Sequence, residues 1–327
     1  MMKNSEYPKL GDLRPGTNVN RPAYLRRIED CGKTAAGKTY VAMFFYDGYS
    51  QVKASMFDVT PESLKLKGIE ENKVYYCKFT KNDRGYVNLD GDPIPCVDPD
   101  IRVSDFGQHI DEDPEELFTK IMQLVDMVKP ANDGGKDTIS KLASNLLNKY
   151  HDQFVSSSAA ISMHHEKAGG LVLHSFNVTV AAKLVSGLYK NLDQELLVCG
   201  AALHDIGKIR EYKTDELGFA SYSPMGQGLG HMIYGIEMIE AEAQKGNYDK
   251  ERVELLKHII ASHHGELEYG AVAKPCIPEA VLIHNLDDAD AKLEMFNKIY
   301  KDLKPGENTE KTIFGLDTKA YKPTYKR

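Results

Sequence analysis

The spacing of apolar residues changes once along this chain, near residue 100. Between residues 16 and about 96, apolar and polar residues alternate, which is the period of strands that bury one face. After residue 113, apolar residues recur every three or four positions, which is the period of helices packed on a core. Because the two periods require different elements, we predict two domains, residues 1–105 and 106–327. A segment with three prolines, residues 90–100, lies between them.

The front domain is predicted to be a small barrel. Two alternating runs, Thr39 to Tyr46 and Gln51 to Phe57, flank the dipeptide Asp47-Gly48, which is typical of a hairpin turn. A short helix and two further strands are expected over residues 61–67, 73–80 and 85–89. With a strand ahead of the hairpin, in the strand-like region that begins at residue 16, the order is three strands, a helix and two strands. This is the order of an OB-fold-like β-barrel, and we predict that fold for this domain.

The same hairpin offers a candidate surface for nucleic acid. Its inward positions are expected to be Val41, Met43, Phe45, Val52, Ala54 and Met56. Its outward positions are then Tyr40, Phe44, Tyr46 and Lys53, since neighbouring side chains on a strand point to opposite faces. Aromatic rings beside a cation suit the stacking of unpaired bases and contact with a phosphate backbone. The alternative, that these rings pack under a loop or against the second domain, stays open at this point.

The second domain is predicted to be all-α. It opens with Asp113-Pro114-Glu115-Glu116, where an N-cap aspartate precedes a proline at the first helical position and two acids in the first turn. Further helices are expected over residues 137–150, 170–189, 193–209, 230–244, 249–264 and 278–300. We place the domain core at residues 160–300 and a polar C-terminal tail at residues 305–327.

Ten of the eleven histidines follow residue 150, and several lie on the apolar faces of these helices. Helical spacing turns His174, His263 and Asp287 inward and puts the pair His204-Asp205 at the edge of an apolar stripe. A single inward histidine is commonly a hydrogen-bonded core residue. Several helices that each turn a histidine or an aspartate inward are satisfied most simply by a shared cation. Imidazole and carboxylate without thiolate favour first-row divalent ions such as Mn, Fe, Co, Ni or Zn.

The pair His204-Asp205 begins the motif HDIGK. With His174 before it and Asp287 after it, this motif resembles the HD phosphohydrolase superfamily, whose ligand order is H…HD…D, with further histidines in two-metal members. Longer segments resemble the YhaM-type 3′→5′ exoribonucleases, in which an OB-type domain precedes the HD domain. These segments are HHxxxGGLxxHS, ALHDIGKIREY, GLGHMIYG, HIIASHHGELEYG and PEAVLIHNLDDADAK.

The resemblance implies two divalent transition-metal ions, with Mn2+ preferred. The first ion would be held by His174, His204, Asp205 and Asp287. The second would share Asp205 as a bridge and add His231 and His263 or His264. Asp288 and Asp290 compete with Asp287, which we prefer because it is in helical phase with Ala280, Ile283 and Ala291.

The resemblance also suggests residues that act on the substrate. Asp205 and Lys208 are candidate catalytic residues, since a lysine four positions after His204 can reach a phosphate oxygen. His164 and His165 are candidates for binding phosphate, and packing at the start of a helix explains them equally well.

We therefore predict an enzyme that shortens single-stranded RNA from its 3′ end and releases nucleoside 5′-monophosphates, with single-stranded DNA as a further candidate substrate. One alternative is a phosphohydrolase of small nucleotides or cyclic dinucleotides, since the HD site does not encode polymer length. A second alternative is a non-catalytic module that binds nucleic acid or nucleotides.

Charge and composition exclude several other classes. The formal charge of -7 arises mostly after residue 105, so nucleic acid is not held mainly by bulk positive charge. The five cysteines form no CxxC pair, which argues against a thiolate zinc site and suits a reducing cytoplasm. No apolar run approaches the roughly 18–20 residues that a membrane span requires. We expect a cytoplasmic protein with no membrane partner, and a homo-oligomer is a candidate state.

Overall fold

The computed structural model divides the chain into two compact units, residues 1–108 and 109–327. The described residues are 6–34, 37–107, 110–130, 134–160, 167–215 and 217–325. Two candidate phosphate-binding residues, His164 and His165, lie outside them. Within the described part of the chain, no helix is both long and apolar enough to cross a membrane.

The N-terminal unit is a sheet with one short helix, α1 (Pro61–Leu66). Its strands are β1 (Asn18–Lys33), β2 (Thr39–Tyr46), β3 (Gln51–Phe57), β4 (Lys73–Lys81), β5 (Val87–Leu89) and β6 (Ile94–Pro95). The strands pair in the order β1-β2-β3-β5-β4-β6, and β1 also pairs with β4. The pairing of β3 with β5 is parallel. This confirms the predicted order of strands and helix, and it is compatible with an OB-like fold.

The predicted inward face of the hairpin is the core of this unit. Val41, Met43, Phe45, Val52, Ala54 and Met56 are all buried. Phe45 meets Phe79 of β4 edge to face, with ring centroids 5.2 Å apart. The inward face of β2 and β3 is therefore buried as expected from the sequence, and on the opposite face of β2 Ala42 and Tyr46 are buried as well.

A buried ion pair fixes the turn of the hairpin. Arg21 of β1 and Asp47 are fully buried, with Arg21 Nη1 3.4 Å from Asp47 Oδ2. Asp47 Oδ1 accepts hydrogen bonds from the backbone N–H groups of Tyr49 and Ser50, and Oδ2 accepts one from Leu10. Arg21 Nη1 also donates to the carbonyl of Pro8. Since both charges are hydrogen-bonded, the pair joins the turn and the segment around Leu10 to β1.

The C-terminal unit is built from helices around one core. They are α2 (Pro114–Asp126), α3 (Ile139–Lys149), α4 (His151–Ser156), α5 (Gly170–Ser186), α6 (Gln194–Leu203), α7 (Lys208–Glu211), α8 (Gly226–Ala243), α9 (Lys250–Ser262) and α10 (Pro278–Asp302). Helix α6 is buried along its length between α3, α5, α9 and α10. Aspartates at positions 113, 193 and 249 cap the helices that follow them.

This unit is not entirely helical, which corrects the all-α prediction. Strands β7 (Tyr212–Thr214) and β8 (Ala220–Tyr222) form a short hairpin between α7 and α8. Asp215 begins its turn and accepts hydrogen bonds from the backbone of Leu217 and Phe219. A side chain that bonds the backbone two residues ahead stabilises a turn, and this local signal is weaker in the sequence than helical periodicity.

The helix expected over residues 193–209 is also shorter than predicted. Helix α6 ends at Leu203, residues 204–207 form a turn, and α7 begins at Lys208. The turn packs so closely on α8 that a Cβ on Gly207 would lie 1.9 Å from the carbonyl oxygen of His231. The apolar pattern continues through Gly207 because the turn is buried, although the helix has already ended.

The chain after α10 folds back on that helix. The backbone pairs Asn308 with Tyr321 and Ile313 with Thr318. The ammonium group of Lys322 donates to the carbonyls of Tyr300 and Leu303, in the last turn of α10. A cation at this place satisfies carbonyls that the end of a helix leaves without partners.

Candidate metal centre

The seven predicted metal-binding side chains all belong to the C-terminal unit, and six of them lie near a helix end or a break in a helix. His174 lies in the second turn of α5, and His204 and Asp205 lie in the turn after α6. His231 follows Gly230, a non-helical residue that interrupts α8. His263 and His264 follow α9, and Asp287 lies on α10.

Four of these side chains form a first cluster. His174 Nε2 lies 3.1 Å from His204 Nε2 and 3.0 Å from Asp287 Oδ1. Asp205 Oδ2 lies 3.4 Å from both imidazole nitrogens. Ligand atoms bound to one ion at about 2.0–2.2 Å are separated by distances of this size. The ligand atoms of His174, His204 and Asp205 all lie within 4.8 Å of one another, as ligands of a shared ion do, and Asp287 adds a carboxylate oxygen on the side of His174.

A second cluster lies on the other side of Asp205. His231 Nε2 is 3.3 Å from His263 Nε2, and Asp205 Oδ1 is 3.6 Å from each of these nitrogens. His264 joins them, since one ligand atom from each of the three histidines lies within 4.8 Å of the others. The sequence left open which of His263 and His264 belongs here, and the structure brings both of them to the cluster.

Asp205 connects the two clusters. The residue is 1% exposed, and neither of its carboxylate oxygens accepts a hydrogen bond. Lys208 Nζ lies 2.7 Å from Oδ2, on the side of the first cluster. A buried carboxylate without hydrogen bonds is costly unless cations compensate it. Oxygen and imidazole donors around such a carboxylate fit divalent first-row ions, so the residues present suit a metal in each cluster.

Each of the five imidazoles is held through Nδ1, which leaves Nε2 for the cluster. Nδ1 donates to a backbone carbonyl in three of them: His204 to Ala201, His263 to Ile260 and His264 to Tyr269. In the other two it donates to a carboxylate: His174 to Asp290 and His231 to Glu211, both at 2.6 Å. When the imidazole is neutral, these contacts favour the tautomer in which Nε2 carries the lone pair for a metal.

The three neighbouring aspartates of α10 have different surroundings. Asp287 faces the first cluster, and Asp290 holds His174 and also accepts a hydrogen bond from Asn177. Asp288 is paired with Lys292 on the surface, 2.6 Å away. The helical phase used in the sequence analysis thus identifies the aspartate that lies in the cluster.

The two clusters differ in their protonation. Burial alone would lower the pKa of His174, but the carboxylates of Asp287 and Asp290 outweigh it and raise the pKa to about 10. In the second cluster burial dominates, so the pKa values of His231 and His263 fall below their usual range and that of His264 falls to about 4. The second cluster therefore offers neutral imidazoles near pH 7, whereas His174 carries a proton that a metal would displace.

The candidate nucleic-acid surface belongs to the N-terminal unit. Phe44 lies between two cations of the neighbouring strands, with Arg27 Cζ 4.4 Å and Lys53 Nζ 5.5 Å from its ring centroid. Tyr40 stacks on Phe57, with centroids 5.7 Å apart. The periodicity of β2 indicated Phe44 and Tyr40, and Arg27 was among the basic residues that could add charge to this surface. Its place beside Phe44, and the contribution of Phe57, were missed because cross-strand register is not visible in the sequence.

Tyr46 does not belong to this surface, whose rings Tyr40 and Phe44 are half-buried. It is 6% exposed and pairs across β1 and β2 with Tyr24, which is equally buried. Arg26 stands over its ring, 5.8 Å from the centroid. Tyr46 lies two positions after Phe44, so alternation predicts that both side chains point to the same face. Neighbouring side chains cover this end of β2, and Tyr46 therefore has little free surface for stacking on a base.

Comparison with known proteins identifies one region of the chain. Residues 171–292 match the family model of the HD domain. That range contains all seven side chains of the two clusters. No solved structure matches the chain. The C-terminal unit thus contains an HD-superfamily domain, which suggests a metal-dependent phosphohydrolase.

Proposed function

We propose that this protein is a 3′→5′ exoribonuclease that hydrolyses single-stranded RNA through two divalent ions, with Mn2+ as the preferred metal. The observation that carries the proposal is the position of Asp205, whose two oxygens face different clusters and accept no hydrogen bonds. A carboxylate shared by two ions is the arrangement used for in-line displacement at phosphorus.

The residues of the clusters have separate roles in this proposal. His174, His204, Asp205 and Asp287 would hold the first ion, and Asp205, His231, His263 and His264 the second. Bound ions would supply Lewis acidity at the phosphodiester and at the attacking water. Water then forms a bond to phosphorus as the bond between phosphorus and the 3′ oxygen breaks. The products are a nucleoside 5′-monophosphate and an RNA shortened by one nucleotide.

Lys208 would neutralise the charge of the phosphate. Its ammonium group lies beside Asp205 Oδ2 and its side chain is 9% exposed. A cation in such a dry site interacts strongly with a non-bridging phosphate oxygen, whose negative charge increases as water attacks. Lys208 is therefore proposed to stabilise the transition state, and Asp205 to hold both ions.

The N-terminal unit supports a polymeric substrate. Phe44 with Arg27 and Lys53 combines an aromatic face with two cations, and Tyr40 with Phe57 adds a second pair of rings. Such surfaces bind single strands by stacking bases and contacting phosphates. The acidic net charge of -7 makes a local surface of this kind more useful to a nuclease than overall charge.

The test is the pattern of products from a 5′-labelled single-stranded RNA incubated with the full-length protein and Mn2+. A descending ladder and release of nucleoside 5′-monophosphates are expected, and the Asp205→Ala variant should give neither. A parallel reaction with the same RNA in a duplex tests whether the substrate must be single-stranded. A reaction with single-stranded DNA of the same sequence tests whether it must be RNA.

Two outcomes would contradict the proposal. Internal fragments without a ladder would indicate an endonuclease. Intact RNA beside hydrolysed dinucleotides would instead identify a phosphohydrolase of small nucleotides, which uses the same clusters without the N-terminal surface.

A further inference from the structure

Glu211 makes two hydrogen bonds to a single residue of the second cluster. Its Oε2 accepts one from His231 Nδ1 at 2.6 Å and one from the backbone N–H of His231 at 3.1 Å. Both residues are 7% exposed. One buried carboxylate oxygen therefore fixes both the imidazole and the backbone of this histidine.

The backbone bond has a local cause. Gly230 has φ 74° and ψ 161°, so helical geometry begins again only at His231. The N–H groups at the start of a helix have no helical acceptors, and Glu211 supplies one for His231. Glu211 belongs to α7, which also carries Lys208. The segment that bears the HD pair and Lys208 thus also determines where His231 lies.

Glu211 also differs from the groups that hold the other imidazoles of the second cluster. His263 and His264 donate to neutral backbone carbonyls, whereas His231 donates to a carboxylate. In the first cluster Asp290 holds His174 in the same way. A carboxylate that accepts a hydrogen bond from Nδ1 of a metal-binding histidine orients the ring. It also increases the electron density at Nε2, the nitrogen that binds the metal. Each cluster therefore contains one histidine strengthened by a carboxylate from outside the cluster.

We propose that Glu211 is a positioning residue that sets the affinity of the second cluster for its ion, independently of the first cluster, where Asp290 has this role. The inference rests on the proposed two-ion site. Glu211 is not itself a metal ligand, but in this inference it controls whether the second ion is bound. It therefore also controls what fraction of the protein is active when metal is scarce.

The experiment is a titration of the metal-free, full-length protein with Mn2+. Calorimetry measures each binding event, and electron paramagnetic resonance reports the environment of the bound Mn. Two binding events are expected for the unmodified protein, with the spectrum of a coupled Mn pair. Glu211→Gln keeps the shape of the side chain and removes its charge. We expect it to weaken one binding event about 10–100-fold, leave the other unchanged and convert the spectrum to that of a single Mn ion at limiting metal.

Two further variants give the comparison. Asp290→Asn should weaken the other binding event, so the double variant should weaken both. Glu242→Gln is the matched control, because Glu242 is 6% exposed, lies on α8 and pairs with Lys245 away from the clusters. It should change neither event. Glu211→Asp keeps the charge with a shorter reach and should restore part of the affinity that Glu211→Gln loses.

The outcomes separate this inference from the proposed function. If the unmodified protein binds a single Mn2+, the two-ion site is wrong and both proposals fall. If it binds two and Glu211→Gln weakens both equally, or weakens neither while lowering the melting temperature, Glu211 only supports the fold. The binding measurements use no RNA, so a failure to degrade RNA leaves them unaffected.

Discussion

Asp205 has the least replaceable side chain of the two clusters, because it contributes an oxygen to each. In the proposed two-ion site, removing it takes one ligand from both ions at once, while every other residue of the clusters would affect one ion. We expect Asp205→Ala to lose nearly all hydrolysis and nearly all bound metal. The measurements are turnover of a small phosphodiester and the metal content of the purified variant.

The control for this variant is Asp288→Ala, which removes an exposed carboxylate next to Asp287 on α10 that pairs with Lys292. It should retain its metal and its activity. Circular dichroism should show that both variants are folded. A variant at Asp205 that keeps a tenth of the turnover would refute the bridging role.

Metal uptake by the first cluster should release a proton near pH 7. The carboxylates of Asp287 and Asp290 raise the pKa of His174 to about 10, so its imidazole is protonated there and must lose a proton from Nε2 to bind metal. The affinity of this cluster should therefore increase with pH until that pKa is reached. Calorimetric titrations in buffers of different ionisation enthalpy measure the proton released.

The second cluster provides the comparison for the proton measurement. The pKa values of His231 and His263 are lowered by burial, so these imidazoles are already neutral near pH 7. The binding event that Glu211→Gln weakens should release little or no proton. Equal proton release from both events would show that the carboxylates around His174 do not hold a proton on it.

At the scale of elements, the geometry of the centre depends on how closely the turn after α6 approaches α8. A Cβ on Gly207 would lie 1.9 Å from the carbonyl oxygen of His231 and 2.7 Å from the backbone nitrogen of Gly235. Because backbone atoms cannot rotate away, Gly207→Ala should separate the two elements. We expect a loss of unfolding free energy of about 1–3 kcal/mol or more, together with weaker metal binding.

The control for Gly207 is Gly228→Ala, near the start of α8. Its Cβ would approach only the flexible end of Met225, at 3.3 Å. This variant should be neutral or stabilising, since alanine restricts the unfolded chain and suits a helix. Urea unfolding of both variants measures the difference, and a Gly207→Ala protein of unchanged stability would contradict the close packing.

The sequence predicted the elements better than it predicted their ends. Alternation located β2 and β3 because the inward face of each packs in the core of its unit, and helical spacing singled out Asp287. Helical spacing extended the predicted helix past its actual end at Leu203, because a buried turn continues the apolar pattern of a buried helix. Glu211 could not be found at all. It is the last residue of a four-residue helix, next to Arg210, and its partner His231 follows twenty positions later.

At the scale of the whole molecule, the two units should divide binding from hydrolysis. Replacing Tyr40 and Phe44 together by alanine removes two stacking surfaces, each worth about 1–3 kcal/mol if a base lies on it. The affinity for single-stranded RNA should fall at least tenfold, which corresponds to about 1.4 kcal/mol. Hydrolysis of a small phosphodiester should not change, because that substrate needs the C-terminal clusters alone.

A matched variant for the RNA measurement is Leu66→Ala, which removes an apolar side chain that is 90% exposed on α1 of the same unit. It should bind RNA normally. Unchanged RNA affinity in the Tyr40 and Phe44 variant, combined with a lower melting temperature, would mean that these rings stabilise the fold and do not stack on bases.

The order of the ligands along the chain has a consequence for biosynthesis. Asp205, His231, His263 and His264 have all been made once residue 264 is added, whereas Asp287 follows on α10. A protein is synthesised from its N-terminus, and its domains fold as they emerge from the ribosome. All residues of the second cluster are therefore synthesised before the last residue of the first. Translation that stops ahead of α10 leaves a product that lacks Asp287 and cannot form the complete first cluster.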